Sequence, residues 1–268
     1  MIDSKELAQF IRKHSLLMVH NAKASHIGSA LSISDIIAVL YGNVLNIDPA
    51  NPNLEDRDRF ILSKGHACVA VYAALAAIGF FPIEDLDLYA KDHSIMMSHI
   101  SHKVDGVEFS TGSLGHGLPF GTGKSLVAKK LNNRWRTFVL MSDGELGEGS
   151  NWEAMLFAAH HELDNLIAII DYNKLQSLTS VENTLRIEPL ADKARAFGWA
   201  VSEVDGHDHS ALTRSLSGSP WEAGKPSFLI AHTTKGKGVS FMENSVDWHY
   251  KSPSADQLAQ ALEEIRHA

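Results

Sequence analysis

Two short apolar runs, each ending in polar residues, constrain this chain more than any other feature. Thr137 to Met141 is apolar enough for a buried strand and breaks into Ser142-Asp143-Gly144. A loop holding Gly147 and Gly149 follows. Ser150-Asn151 then offer N-cap chemistry for a helix through His161, with Glu153 adding charge to its first turn. Leu166 to Ile170 is the second run and delivers Asp171-Tyr172-Asn173. Strand, loop, helix and strand in this order predict a parallel pair, with Asp143 and Asn173 at one carboxyl edge. Open α/β sheets bind ligands at that edge.

Asp143 and Asn173 are 30 positions apart. A carboxylate and an amide oxygen on neighbouring strand ends suit a hard divalent cation. Gly144 lets the backbone approach an anion, and the helix N-terminus beyond offers free N–H groups. A metal with such donors is what a diphosphate requires. The competing interpretation, two ordinary turn residues after two strands, leaves the paired layout unexplained.

Composition removes several function classes. At 268 residues the chain can bury a substantial core, since 44% of it is hydrophobic and 21% charged. A net charge of −8 and a pI near 6.0, with no block of Lys or Arg, argue against a nucleic-acid surface. The single cysteine, Cys68, excludes an internal disulfide framework, and its Ala-rich surroundings mark it as a buried structural thiol. The start Met1-Ile-Asp-Ser-Lys-Glu is unlike a signal peptide, and no apolar stretch reaches membrane-spanning length. A cytoplasmic protein without membrane contact is the expectation.

Taken in order, residues 3–21 predict an amphipathic helix capped by Ser4, with Leu7, Phe10, Ile11 and Leu17 at helical spacing. Ser25 to Ser29 read as a small-residue turn, and Ser34-Asp35 start a helix over Ile36–Tyr41. Phe60-Ile-Leu is an apolar strand that leads, through Ser63 to Ala67, into an Ala-rich helix ending near Ile78. A short helix is expected over Pro82–Leu88. The long irregular stretch from Asp92 to His116 carries His93, His99, His102 and His116, and loops of this length usually carry function. Their spacing fits no common zinc pattern. Gly121-Thr-Gly-Lys-Ser lacks phosphate-loop spacing and a preceding strand, and opens a helix instead. Later elements are a helix from Pro189 to Phe197, strands over Trp199–Val204 and Ser227–Ala231, and a closing helix over 254–267. Lys235 and Lys237 among glycines form either a phosphate nest or a flexible exposed loop. The alternation predicts one doubly wound α/β domain with a mostly parallel sheet, helices on both faces, spanning 1–268.

The segment Ser142-Asp-Gly-Glu-Leu-Gly-Glu-Gly149, closed by Asn173-Lys-Leu175, resembles the thiamine diphosphate signature. In detail it is similar to the transketolase family, with Ser142 in place of the first glycine. The resemblance implies thiamine diphosphate as cofactor, with Mg2+ (or Ca2+ or Mn2+) at Asp143, Asn173 and Leu175. It implies cofactor contacts from Gly144, Glu148 and Asn173. Arg57-Asp-Arg-Phe-Ile-Leu-Ser-Lys-Gly-His-Ala67 resembles the family's Asp-Arg-Phe-x-Leu-Ser-x-Gly-His-Ala, which implies His66 beside the diphosphate. Thr111-Gly-Ser-Leu-Gly-His-Gly117 resembles Thr-Gly-Pro-Leu-Gly-Gln-Gly, which implies Gly112 and Leu114 against the cofactor and His116 at the glutamine position.

Three more imidazoles follow from the resemblance. His26-Ile-Gly-Ser is similar to the family's His-Pro-Gly-Gly-type element, with Ile27 replacing proline. His99 matches the histidine of a His-Pro-Glu element, with Ile100-Ser101 in place of Pro-Glu. Thr234-Lys-Gly-Lys-Gly-Val-Ser-Phe-Met-Glu243, with Trp248-His249 beyond, nominates His249, and Tyr250 replaces a glycine. Catalytic roles are thereby implied for His26, His66, His99 and His249, which would orient sugar hydroxyls and move protons. His66 and His249 would also touch the cofactor. His93 and His102 are expected on the surface, and His207 is expected to be structural.

The resemblance covers essentially the whole chain but only the first part of a full-length transketolase. The pyrimidine-binding and C-terminal domains, with the glutamate that serves the aminopyrimidine N1′, have no counterpart here. This implies a two-carbon ketol transferase acting on sugar phosphates with a separately encoded C-terminal subunit, in an α2β2 heterotetramer. A 2-oxoacid dehydrogenase α subunit or a deoxyxylulose-phosphate synthase relative is the near alternative, which the Ser-Lys-Gly-His-Ala and Trp-His elements disfavour. A non-catalytic cofactor-binding scaffold is the alternative of another class. Asp143, Asn173 and the four histidines count against it.

Overall fold

Five parallel strands form one sheet in the computed structural model, which describes residues 2–266. They are β1 (Arg59–Leu62), β2 (Thr137–Ser142), β3 (Leu166–Tyr172), β4 (Ala200–Asp205) and β5 (Ser227–His232), in the order β1-β2-β3-β5-β4. Every residue of β2 and β3 is buried. Both faces of the sheet are covered, which is why these strands read as unbroken apolar runs rather than as alternation. The β2–β3 register runs from Thr137 opposite Leu166 to Ser142 opposite Asp171, so both strands end at one edge.

The helices are α1 (Ser4–Ala22), α2 (Ile27–Ser32), α3 (Ser34–Val39), α4 (Cys68–Ile78), α5 (Gly117–Lys130), α6 (Gly149–His160), α7 (Val181–Thr184), α8 (Leu190–Ala196), α9 (His209–Ser217) and α10 (Ala255–Arg266). Phe60, Phe138, Leu140, Ile167, Ile169 and Leu229 face one side, beneath α1, α3, α4 and α9. Ile61, Val139, Met141, Ala168, Ile170 and Ile230 face the other, beneath α5, α6 and α8. The chain steps from β1 to β3, passes to the far edge at β4 and returns to β5. Right-handed crossovers then send α9 to the face opposite α6 and α8. The doubly wound α/β expectation holds.

Several local expectations do not. The cap of α1 is Asp3, whose carboxylate accepts from Lys5 and Glu6 N–H, whereas Ser4 is buried against His209. The small-residue stretch after Ser25 is helical from Ile27, because its serines are buried and bonded inside the fold. The next helix starts at Ser34 and continues as a π turn over Leu40–Val44. Residues 83–88 form a 3-10 turn. Ser150 and Asn151 do not cap α6. Ser150 donates to Gly115 O and Asn151 Nδ2 to Glu145 O, so both bind neighbouring loops. Residue 267 of the expected closing helix lies outside the described residues. No described helix is long and apolar enough to cross a membrane. Cys68 is fully buried, and burial pushes its thiol up to about 12.

The Gly-Thr-Gly-Lys stretch owes its first glycine to packing. A Cβ on Gly121 would lie 2.5 Å from Val139 Cγ2, whereas one on Gly123 would meet nothing within 4 Å. Gly121→Ala is therefore expected to destabilise the fold by about 1–3 kcal/mol through overpacking. Gly123→Ala, at an open helical position, should stabilise it by about 0.5–1 kcal/mol. Chemical denaturation of the two variants tests the pair of opposite signs.

Candidate active site

A cleft of about 250 Å3 opens at the carboxyl edge of the sheet. Its floor rests on Lys64, just after β1, and Asp171 of β3, whose side chains are both 0% exposed and meet at 2.5 Å. Asp171 also accepts from Ser32 Oγ, Thr233 Oγ1 and Asn173 Nδ2. Burial opposes its charge, but Lys64 and these hydroxyls hold the carboxyl below the usual carboxylate value. Because its amide nitrogen is bound to Asp171, Asn173 turns its oxygen towards the loop, where it accepts from Leu175 N at 3.1 Å.

Asp143 is the unsatisfied member of this group. It is 1% exposed, and its oxygens accept only backbone N–H groups, from Gly144 at 2.7 Å and Lys174 at 2.6 Å. Among the described residues no cationic side chain forms an ion pair with it. Burial, with the nearby Asp171 charge second, raises its carboxyl to about 7. Across the cleft, Lys235 is 1% exposed and donates to Gln176 O at 3.0 Å and Leu175 O at 3.3 Å. Burial and then the Lys64 charge lower its ammonium to about 8. One carboxylate lacks a cation and one ammonium lacks an anion, in the same cleft.

The mouth is lined by imidazoles. The His26 ring centroid lies 5.1 Å from His66, 5.8 Å from His99 and 4.9 Å from His249. His26 caps α2 in the left-handed backbone region (φ 75), held by its N–H to His249 O at 2.7 Å. His66 Nε2 meets Ser29 Oγ at 3.1 Å, and Lys235 Nζ meets His249 Nδ1 at 3.2 Å. Burial, then the neighbouring His99 and Lys235 charges, lowers His26 to about 4. Burial and Lys235 lower His249 to about 3. His66 is held well below its ordinary value by burial and then by Lys64. Imidazoles kept neutral at pH 7 can accept protons and donate hydrogen bonds to hydroxyls.

The structure thus brings together His26, His66, His99, His249, Gly112, Leu114, Asp143, Gly144, Asn173 and Leu175 around one cleft. Glu148 is not among them: it is exposed, because the 3-10 turn Gly144–Gly147 carries the chain away before α6 begins. Gly149, where α6 begins, is likewise not among the residues lining the cleft. His93, His102 and His116 are exposed. Lys64, Asp171, Ser29 and Gln176 were not among the expected site residues, and the burial and inward aim of Lys235 fit the phosphate nest rather than the exposed loop. A buried lysine reads in sequence like an exposed one, and only the Ser-Lys-Gly-His junction between strand and helix hinted at Lys64.

Among the described residues no group of three His, Cys, Asp or Glu is arranged to hold a metal. The candidate donor set is instead one carboxylate with amide and carbonyl oxygens. That suits a hard cation whose shell is completed by phosphate and water. Residues 3–266 match the family described as transketolase, thiamine diphosphate binding domain. The chain belongs to the transketolase family. A protein of Phocaeicola vulgatus named as an apulose-4-phosphate transketolase subunit is 41% identical to it over 254 residues, covering 95% of this chain and 90% of that protein. The 6-deoxy-6-sulfo-D-fructose transketolase subunit of a Clostridium species is 38% identical over 265 residues, covering 98% and 96% respectively. The transketolase structure from Campylobacter jejuni superposes with a TM-score of 0.92 at 31% identity. That match covers 98% of this chain but 42% of that one.

Two outcomes follow from the site's electrostatics. Removing one side of a buried ion pair strands the other, so Lys64→Met should cost about 3–5 kcal/mol in denaturant unfolding. His26 and His249 are held below the unfolded value of 6.5, so the unfolded chain takes up their protons first. Their contribution to stability is complete above about pH 6.5 and is lost as pH falls towards about 4. The double variant His26→Gln/His249→Gln should show a flatter stability profile than wild type in that window.

Proposed function

We propose that this chain is the diphosphate-binding subunit of a two-subunit, thiamine diphosphate-dependent transketolase. A separately encoded chain would supply the pyrimidine-binding and C-terminal regions, in an α2β2 assembly. Together they would move a two-carbon ketol unit from a ketose phosphate to an aldose. The observation that carries this reading is the pairing of Asp143 and Lys235 across one cleft, a cation-seeking and an anion-seeking group in a family of thiamine diphosphate-binding domains. The near-complete match to proteins named as subunits supports the two-chain form.

Asp143, the Asn173 amide oxygen and the Leu175 carbonyl are the oxygen donors for Mg2+, with Ca2+ or Mn2+ as substitutes. Lys235 neutralises the diphosphate, and Gly112 and Gly144 keep the cleft walls open to it. When bound, thiamine diphosphate supplies the carbon nucleophile that carries the two-carbon unit. His26, His66, His99 and His249 then serve the sugar. They can bond the hydroxyls of the ketol end and take or return a proton there. The two relatives are named for different ketoses, apulose 4-phosphate and 6-deoxy-6-sulfo-D-fructose. The imidazoles are therefore assigned to the end that all ketoses share.

Calorimetry with thiamine diphosphate and Mg2+ on the assembled complex tests the metal assignment. Asp143→Ala should abolish binding, and unchanged affinity would refute the site. In ketol-transfer assays the isolated chain should be inactive and regain activity with its partner. Full activity alone would rule out the two-chain reading.

A further inference from the structure

One buried cluster outside the cleft has no part in the chemistry above. Asp35 of α3 is bridged by both terminal nitrogens of Arg12 from α1. Each oxygen takes one more partner, His209 Nε2 on Oδ1 at 3.0 Å and His207 Nδ1 on Oδ2 at 2.7 Å. Burial opposes the charge, but the two imidazoles and the guanidinium hold this carboxyl far below the usual range.

The far nitrogens of the two imidazoles differ in kind. His209 Nδ1 meets Ser4 Oγ at 2.8 Å, and a hydroxyl can donate or accept. His207 Nε2 meets the backbone N–H of Thr234 at 2.9 Å, and that group can only donate. Nε2 of His207 therefore carries no proton, and the ring proton is on Nδ1, where it goes to Asp35. The ring is a neutral imidazole of one tautomer, assigned by its partners. A proton on Nε2 would set two N–H groups against each other.

Thr234 lies between two residues that build the cleft. Thr233 Oγ1 donates to Asp171, and Lys235 points its ammonium inward. The turn that carries His207 also presses on this segment. Gly206 N donates to His232 O at 2.8 Å, and a Cβ on Gly206 would lie 2.4 Å from Thr233 Cγ2. We propose that His207 is a positioning residue for Lys235: its unprotonated Nε2 anchors the Thr234 backbone, and loss of that acceptor loosens Lys235 and weakens diphosphate binding. This rests on the reading of the cleft as a diphosphate site. The charged groups facing His207 are Lys5 and Arg12 from α1, Asp35 from α3, Asp205 at the end of β4, His209 from α9 and Lys237 beyond β5. Asp35 takes the ring proton, and Asp205 accepts from the His207 backbone N–H rather than from the ring.

The test uses the full chain with magnesium pyrophosphate, titrated calorimetrically at a single, mildly alkaline pH. The variants are His207→Phe, which removes the acceptor, and His207→Gln, whose amide offers an acceptor beside a donor. At about pH 8, His207→Phe should bind about tenfold more weakly, the worth of one lost hydrogen bond, while His207→Gln stays within about threefold of wild type. Ring 15N shifts should report the Nδ1–H tautomer. Wild-type affinity in His207→Phe or an Nε2–H tautomer would each overturn the proposal alone. Failure of the wild-type chain to bind magnesium pyrophosphate would overturn the diphosphate site, and this proposal with it. The ring 15N measurement on wild type stands even where His207→Phe folds poorly.

Discussion

The ion pair between Lys64 and Asp171 holds the floor of the cleft. It joins the end of β1, an edge strand, to β3 at the centre, passing beside the end of β2. Asp171 gathers Ser32 from α2, Thr233 from the segment after β5, and Asn173 from its own strand end. Several chain segments thus converge on one carboxylate. Such a pair contributes little net stability, because desolvation offsets the attraction, but losing either partner leaves an uncompensated buried charge. The geometry of the whole edge therefore stands or falls together.

Against that satisfied carboxylate, the neighbouring Asp143 is conspicuous for what it lacks. Two buried acids lie on adjacent strand ends, and only one has a cation. The fold has already met the desolvation cost of the second, in a place where Lys235 is equally short of an anion. A metal diphosphate satisfies both at once. His26, His66 and His249 above follow the opposite rule, since burial and nearby ammonium groups favour their uncharged form. Charge is thus confined to the base of the cleft, and neutral hydrogen-bonding groups to its mouth.

Much of this was legible in the sequence. The apolar runs of β2 and β3 gave the parallel pair, because a strand covered on both faces has no polar alternation to confuse it. Asp143 and Asn173 stood out because polar residues end both runs. The turns were harder. Ser25 to Ser29 read as a small-residue turn, yet Ser29 and Ser32 are spent on buried partners and the backbone is helical from Ile27 to Ser32. Lys235 reads equally as part of a phosphate nest or of an exposed loop, and nothing local marks either Lys64 or Lys235 as a buried ammonium. Its partners are remote: Asp171 lies 107 positions from Lys64, and the Leu175 carbonyl lies 60 from Lys235. Glu148 matched a family pattern at a position that the 3-10 turn directs outward.

The backbone at His26 carries a further implication for any attempt to improve this protein. A non-glycine residue in the left-handed region costs roughly 1–2 kcal/mol, and here an imidazole is kept there at the mouth of the cleft. Glycine or asparagine would adopt the same backbone with less strain. A library selected for thermal tolerance alone would drift towards those residues at position 26, gaining robustness while discarding a ring that the cleft is built around.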